Sequence, residues 1–493
     1  MQSETETLPL ILQNNFLPPH FVYYPMQKGD EILLTIEGLS GDGRTVARQD
    51  GMVFFVEKAV PGDSVRARIW KLQKNFAEAR AVEILKPSFQ RAEPKCKHFG
   101  VCGGCKWQDL TYEAQLQFKQ RIITDSFKRI GGFEQPDVRP VLGCENPYFY
   151  RNKMEFTFSN YRWLTDEEME KKEELQQEVA LGLHVPQRYD KVINLEECWL
   201  QSEMSSAIMN TVREVCKVWE LPVYSTETHE GYLRHLVIRE GKHTGDVMVN
   251  LVTNLDSPEV MQKMTSLLLK QFPEITTVVN NITSRKSMVA VGEQEKVYHG
   301  PGYITEKIGG YTFHISANSF FQTNTLQAEK LYDTAKELAG LHPTDVVYDL
   351  YSGTGSIAMY LSEAVERVVG IEIIESAIAD AERNAKLNNI SNCYFLQGDL
   401  KDRLTKDSGW LSEHPRPNVV VADPPRSGMH EKVVKQIVKL SPERIVYVSC
   451  NPSTQARDAK MLAESGYELK VVQPVDMFPH TDHIEAVALF VKS

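Results

Sequence analysis

The sequence predicts a multidomain α/β protein: a small antiparallel β-barrel, a central α+β domain, and a C-terminal doubly wound, Rossmann-like sheet. Three observations carry that expectation. Five short alternating segments separated by turns occupy residues 24–86, the rhythm of a small barrel. Three of the eight cysteines crowd together just behind them, at Cys96, Cys102 and Cys105. From about Leu326 helical and strand patterns alternate to the end of the chain, as in a parallel sheet covered by helices. The expected domains are 20–88, 89–318 and 319–493. A chain of 493 residues has room for about three domains of ordinary size.

Composition narrows the class. Apolar residues make up 42% and charged residues 25%, values typical of a globular protein. The net charge of −11 argues against a polyanionic partner unless the charges are unevenly placed. The start, MQSETETLPLILQNN, has no basic region, and its apolar core LPLIL is too short for a signal peptide. No stretch approaches the ~18–20 apolar residues that cross a bilayer, so a cytoplasmic protein is expected. Nothing in the sequence calls for a dimer, and a monomer is expected. Eight cysteines are too sparse for a disulfide scaffold. Three in a cluster point to metal instead.

The elements follow in order. Residues 1–22 carry little periodic signal and read as a loose leader. The barrel segments are DEILLTIEGL, RTVARQ, GMVFFVEKAV, DSVRARIWKL and AEARAVEIL, with turns such as SGDGR and VPGD between them. Residues 65–91 hold seven Lys and Arg against Glu78 and Glu83, with Trp70 and Phe76 interleaved. Basic side chains with aromatic platforms make up RNA-binding surfaces. A helix is expected over 111–131 and is placed on the C-terminal domain; Leu116, Ile122, Ile123 and Phe127 form its apolar face and Gly131 its stop. Residues 165–178, with seven acids against two lysines, read as a solvated insertion. LRHLVIRE and GDVMVNLVTN are strands, and SPEVMQKMTSLLLKQF is a helix capped by Ser257 with Pro258 in its first turn.

The alternating C-terminal part concentrates chemistry at its strand ends. Asp349-Leu-Tyr351-Ser-Gly353-Thr-Gly355-Ser356 joins a strand to a helix. Glycines there let a ligand approach backbone, and the helix N-terminus offers free N–H groups. The next strand ends in Glu372, placed to accept ribose hydroxyls, and the third in Asp399, suited to an adenine amino group. The loop alone fits NAD as well as S-adenosylmethionine. The fourth strand ends in Asp423-Pro424-Pro425-Arg426. Dehydrogenases have no general use for such a loop, whereas methyltransferases of planar nitrogen heterocycles often carry one. S-adenosylmethionine is therefore the expected cofactor. The fifth strand ends in Ser449-Cys450-Asn451-Pro452, which puts a thiol at the ligand crevice, and His480, His483 and Glu485 precede the last strand. A thiolate nucleophile with a carboxylate base is the chemistry to expect.

DPPRSG, YVSCNPST and DMFPHTDHIEAVALF, in this order behind DLYSGTGSIA, resemble the RNA 5-methyluridine methyltransferases over nearly the whole chain. NSFFQTN, residues 318–324, also matches and carries Gln322 as a cofactor contact. The resemblance implies a uridine in RNA, 23S ribosomal RNA above all, as substrate. It implies that Cys450 adds to C6 of the uracil, which makes C5 nucleophilic enough to take the methyl. Glu485 then removes the C5 proton, and Asp423 holds the uracil or cofactor edge. It further implies cofactor contacts from Gln322, Tyr351, Ser356, Glu372, Asp399 and Asp423.

Residues 24–86 resemble a TRAM domain, a small OB-like RNA-binding barrel. Cys144, Cys198 and Cys216 are each candidates for a fourth ligand beside the clustered three. The family pattern selects Cys198, within VINLEECWLQS, and implies a [4Fe–4S] cluster. Zinc is the alternative for a four-sulfur site. Other functional readings are a tRNA uridine methyltransferase, an amino-directed base methyltransferase that needs no Cys450, and an RNA-binding module without catalysis.

Overall fold

The computed structural model describes residues 26–165, 168, 179–186, 188–405, 409 and 413–493. The expected leader and most of the acidic run lie outside the described residues. The chain forms two compact units, one running to Gly38 and resuming over Arg44–Ser88, the other comprising Leu39–Gly43 and Phe89–Ser493.

The first unit is one six-stranded sheet. Its strands are β1 (Glu31–Thr35), β2 (Gly38–Leu39), β3 (Thr45–Gln49), β4 (Met52–Glu57), β5 (Ser64–Leu72) and β6 (Phe76–Lys86), in the order β1-β5-β6-β4-β3-β2. The alternation read from the sequence is present: Val65, Ala67 and Ile69 of β5 are buried, while Arg66, Arg68 and Trp70 face out. One pairing departs from the expected antiparallel order. β4 runs parallel to β6, because β5 supplies the crossover that a parallel pair requires.

The basic stretch also differs from its reading. Arg66 pairs with Glu31 and Glu83, Arg68 with Glu31, Arg80 with Glu57 and Lys71 with Glu78. Glu31 and Glu57 come from strands outside the 65–91 window, brought alongside by register. The surface is thus a mixed-sign lattice. Exposed pairs of this kind are weak, so phosphate can compete for the arginines.

In the second unit, α1 (Tyr112–Arg129) begins where Thr111 accepts the Ala114 N–H. A seven-stranded sheet follows, made of β7 (Lys153–Ser159), β8 (Ala180–Val185), β9 (Arg188–Asn194), β10 (Leu233–Glu240), β11 (Val247–Thr253), β12 (Ile275–Ile282) and β13 (Gln294–His299). Its order is β13-β12-β11-β10-β7-β8-β9. Helices α2 (Glu203–Val218) and α3 (Pro258–Gln271) cover one face through Ile208, Val212, Met264 and Leu268. Ser257 occupies the N-cap position of α3 but makes no side-chain cap bond.

A hairpin, β14 (Tyr303–Ile308) and β15 (Tyr311–Ser316), leads into α4 (Thr325–Ala339), capped by Asn324 and ended by left-handed Gly340. The last sheet contains β16 (Val346–Leu350), β17 (Arg367–Glu372), β18 (Cys393–Gln397), β19 (Val419–Ala422), β20 (Arg444–Ser449), β21 (Tyr467–Val475) and β22 (Glu485–Lys492), ordered β18-β17-β16-β19-β20-β22-β21. Its helices are α5 (Ser356–Ser362), α6 (Glu375–Leu387), α7 (Leu400–Arg403), α8 (Glu431–Leu440) and α9 (Pro452–Glu464). α1 joins this layer, since Ile123 and Phe127 lie in one core with Val420, Ala459 and Val472.

Strand order reverses between β16 and β19, which opens a crevice at the carboxyl edge. The expected parallel sheet is broken by β22, antiparallel to both β20 and β21. That reversal matters for chemistry, because it brings the start of β22 to the edge where β19 and β20 end.

Candidate active site and cysteine site

The glycine loop is shaped for a ligand. Gly353 and Gly355 have φ of +52° and +76°. A Cβ on Gly353 would meet open space, whereas one on Gly355 would lie 2.7 Å from the Phe395 ring. The first glycine therefore leaves room above the loop, and the second lets helix and strand close up beneath it. Glu372, at the end of β17, accepts the Gly353 N–H at 3.1 Å and the Ile373 and Ile374 N–H groups at 2.9 Å each. It anchors the loop while sitting at the crevice. Ile373 and Ile374 stay exposed beside it, an apolar surface that fits a purine face.

Asp399, at the next strand end, is half-exposed and caps α7 through the Lys401 N–H. Ser356 starts α5, with its hydroxyl 2.8 Å from that of buried Tyr332. Tyr351 takes φ +65° and packs, partly buried, against the core that holds Leu350 and Tyr447. Gln322 is buried, its carbonyl receiving the Asn152 side-chain amide. Two residues before it, the Phe320 carbonyl accepts from Thr354 of the glycine loop.

Asp423, Cys450 and Glu485 come from three adjacent strands. Asp423 directly follows β19, Cys450 directly follows β20, and Glu485 opens β22. The β20–β22 register ends at Ser449 opposite Ala486, so Cys450 and Glu485 are the next residues along on each strand. The Asn-Pro behind the cysteine is a helix start rather than a free turn. Asn451 caps α9 by accepting the Ser453 N–H, and Pro452 takes the first helical position. The Asn451 side chain also donates to the Arg426 carbonyl at 2.9 Å, tying the cysteine turn to the Asp-Pro-Pro-Arg loop.

Electrostatics sort the roles. Burial pushes Asp423 up to about 7. Burial first, and then Asp423, hold Glu485 well above the usual carboxylate range. Glu485 Oε2 is buried with no hydrogen-bond partner among the described residues. Burial, then Glu485 and Asp423, push the Cys450 thiol up to about 11, while Arg426 pulls it down. Two carboxyls this close do not ionise together readily. In the protonated state they stop opposing the thiolate, and Arg426 and the N-terminus of α9 then favour it. Arg426 lies 2.8 Å from His483 Nδ1.

Four cysteines meet at a second place. Cys96, Cys102, Cys105 and Cys198 line one cavity with Phe99, Leu195 and Trp199. The Gly104 N–H reaches Cys102 Sγ at 3.4 Å and the Gln108 amide reaches Cys105 Sγ at 3.3 Å. A Cβ on Gly103 would lie 2.6 Å from the His184 carbonyl, so glycine is required for the turn to pack on β8. Burial raises all four thiols, Cys105 to about 12. The other candidates lie elsewhere: Cys144 is beside Asn324, and Cys216 is on the buried face of α2. Four thiols thus line one cavity, and two of them receive N–H bonds. Among the described residues no group of three or more His, Cys, Asp or Glu side chains is arranged to hold a metal ion.

Sequence reasoning missed several residues. Asp349, the first acid of the glycine motif, is fully buried and raised well above its usual range by burial and by Asp423. Its place at the head of the motif was the available signal. Tyr332 has no sequence signal; α4 carries it under the crevice. Arg426 stood inside a motif whose acid drew the attention.

A crevice at the carboxyl edge of a doubly wound sheet, with a cysteine beside a carboxyl pair, fits a group-transfer enzyme of the α/β class. Comparison makes the assignment particular. Residues 263–493 match the family described as tRNA (Uracil-5-)-methyltransferase, and residues 25–82 match the TRAM domain. An uncharacterized RNA methyltransferase of Chlorobaculum tepidum is 46% identical over 468 residues, 94% of this chain and 97% of that one. One from Bacteroides thetaiotaomicron is 43% identical over 454 residues, 92% and 99% of the two chains. The crystal structure of Pyrococcus abyssi tRNA (uracil-54, C5)-methyltransferase in complex with S-adenosyl-L-homocysteine superposes with a TM-score of 0.71 at 29% identity, covering 93% of this chain and all of that one. The chain belongs to the S-adenosylmethionine-dependent RNA uracil-C5 methyltransferase family. Among the described residues no helix is long and apolar enough to cross a membrane.

Proposed function

We propose that this enzyme methylates C5 of a uridine in 23S ribosomal RNA through a covalent adduct on Cys450. The observation that carries the reading is the meeting of Cys450 and Glu485 at facing ends of β20 and β22, with Asp423 one strand away. When bound, S-adenosylmethionine supplies an electrophilic methyl on a sulfonium. Gln322, Ser356, Glu372, Asp399 and the backbone at Tyr351 and Gly353 would hold it. Cys450 Sγ adds to C6 of the uracil, and the C5–C6 electron pair moves into the enolate. C5 takes the methyl, Glu485 removes the C5 hydrogen, and re-forming the C5–C6 double bond expels the thiolate. Asp423 holds the uracil or cofactor edge. Reaching C6 requires the target base to leave its stack.

The four-cysteine cavity supports a [4Fe–4S] cluster on Cys96, Cys102, Cys105 and Cys198. Four thiolates are the ligand set of such clusters. The expected division at 89–318 and 319–493, a monomeric state and a cytoplasmic location complete the reading. The Pyrococcus abyssi neighbour acts on tRNA, and that favours tRNA as the second reading. Mapping 5-methyluridine by mass spectrometry in ribosomal and transfer RNA from a deletion strain decides between them. Loss of a 23S site is expected; loss confined to tRNA would reject 23S RNA, and no loss in either would reject the function.

A further inference from the structure

The segment between β21 and β22, residues 476–484, delivers Glu485 to the site, and α1 holds it by an unusual means. Tyr112, Gln115 and Lys119 stand at i, i+3 and i+7, on one face of α1. Lys119 Nζ lies 2.6 Å from Asp476 Oδ1 and donates to the Phe478 carbonyl at 2.9 Å. The Tyr112 hydroxyl donates to Asp476 Oδ2 at 2.8 Å. Gln115 accepts the His480 N–H at 2.8 Å, and its amide sits 3.2 Å from His480 Nδ1. Just beyond Cys105, the Lys106 and Trp107 N–H groups both donate to the His480 carbonyl, and Lys106 Nζ pairs with Asp482 at 2.7 Å.

Two features say that this arrangement does more than fill a core. Lys119 and Asp476 are both wholly buried. A buried ion pair adds little stability over an apolar pair of similar size, so stability alone gives no reason for it. His480, a non-glycine residue, is held at φ +65°. Such a conformation persists where the surroundings over-determine it, and here Gln115, Lys106 and Trp107 do so. Every fixed point lies within nine residues of Glu485, whose own carboxyl has a buried oxygen without a hydrogen-bond partner among the described residues.

We propose that Tyr112, Gln115 and Lys119 are positioning residues for Glu485: through Asp476, Phe478 and His480 they set the carboxylate where it can take the C5 proton. The inference rests on the reading of Glu485 as the base. It concerns release of the adduct, not its formation, because Cys450 is carried by a different strand.

The test compares wild type, Glu485→Gln, Gln115→Leu and the double variant Lys119→Met/Asp476→Leu, which removes both buried charges so that neither is left alone. Covalent complex with uridine-containing 23S RNA and S-adenosylmethionine is measured on denaturing gels, together with kcat, KM and the rate of adduct formation on 5-fluorouridine RNA. For Gln115→Leu and the double variant the expected result is adduct formation within about twofold of wild type and unchanged KM. Their kcat should fall by about 10–100-fold, part of what a positioned base contributes, and the covalent complex should accumulate. Wild-type kcat in both, or a parallel fall in adduct formation and kcat, would overturn the proposal. If Glu485→Gln accumulates no complex, the base reading itself fails and takes the clamp with it. If Glu485→Gln accumulates complex and the clamp variants do not, the clamp alone fails.

Discussion

The two thiol sites of this molecule face opposite problems. Cys450 stands alone at a strand end, half-buried, with Arg426 beside it and a helix start behind it. Cys96, Cys102, Cys105 and Cys198 line one pocket, where burial raises the thiols. The Cys450 thiol is raised as well, to about 11, with Arg426 pulling against that shift. Four buried thiols need a shared cationic centre before they can ionise at all. The same residue type thus stands beside a cation and two carboxyls in one place and among other buried thiols in the other.

Substitutions at the two sites should separate on that basis. The largest expected effect is Cys450→Ala, which should abolish methyl transfer to RNA in a tritiated-methyl assay while leaving the melting temperature near that of wild type. Residual transfer above a few per cent would make the two sites less distinct than their geometry implies. Cys102→Ser should do the reverse. It should remove the brown colour and the iron of anaerobically prepared protein and lower the melting temperature, because a site ligand that helps hold the fold is lost. Colourless, zinc-loaded wild type would replace the cluster with the zinc alternative.

A smaller effect concerns pH. A thiol raised to about 11 is mostly neutral near pH 7, and its ionised fraction grows as pH rises. Single-turnover adduct formation should therefore climb between pH 7 and 9, by up to about tenfold per unit. Arg426→Gln removes the group that lowers this thiol, so the rate should fall across that range while the upward trend remains. A flat profile would mean that Cys450 is already ionised and that the carboxyl pair does not oppose it.

The chemical residues were readable because each lies at a strand end marked by its own short motif. Asp423, Cys450 and Glu485 were singled out from sequence alone, and the structure places them at the ends of adjacent strands. Their convergence was less readable. The antiparallel run of β22 brings Glu485 to Cys450, and strand direction leaves no trace in a run of apolar residues. α1 shows the same limit. Its pattern suggested a face of Leu116, Ile122, Ile123 and Phe127, but the fully buried set also includes Gln115 and Lys119, with Leu116 and Ile122 only half-buried. Periodicity counts apolar residues, and a lysine is buried only because Asp476 meets it from 357 positions away. The basic stretch of the first unit shows a related limit: besides Glu78 and Glu83 within its window, Glu31 and Glu57 on neighbouring strands also pair with its arginines.

The central claim is that Cys450 forms a covalent bond to the uracil and Glu485 is needed to release it. The most direct measurement is a denaturing gel of Glu485→Gln with 23S RNA and S-adenosylmethionine, followed by peptide mass mapping of the complex. The account predicts a stable RNA–protein species linked at Cys450 and its complete absence in the Cys450→Ala/Glu485→Gln double variant. Methylated RNA formed by the double variant, or an adduct mapped to any other residue, would contradict it.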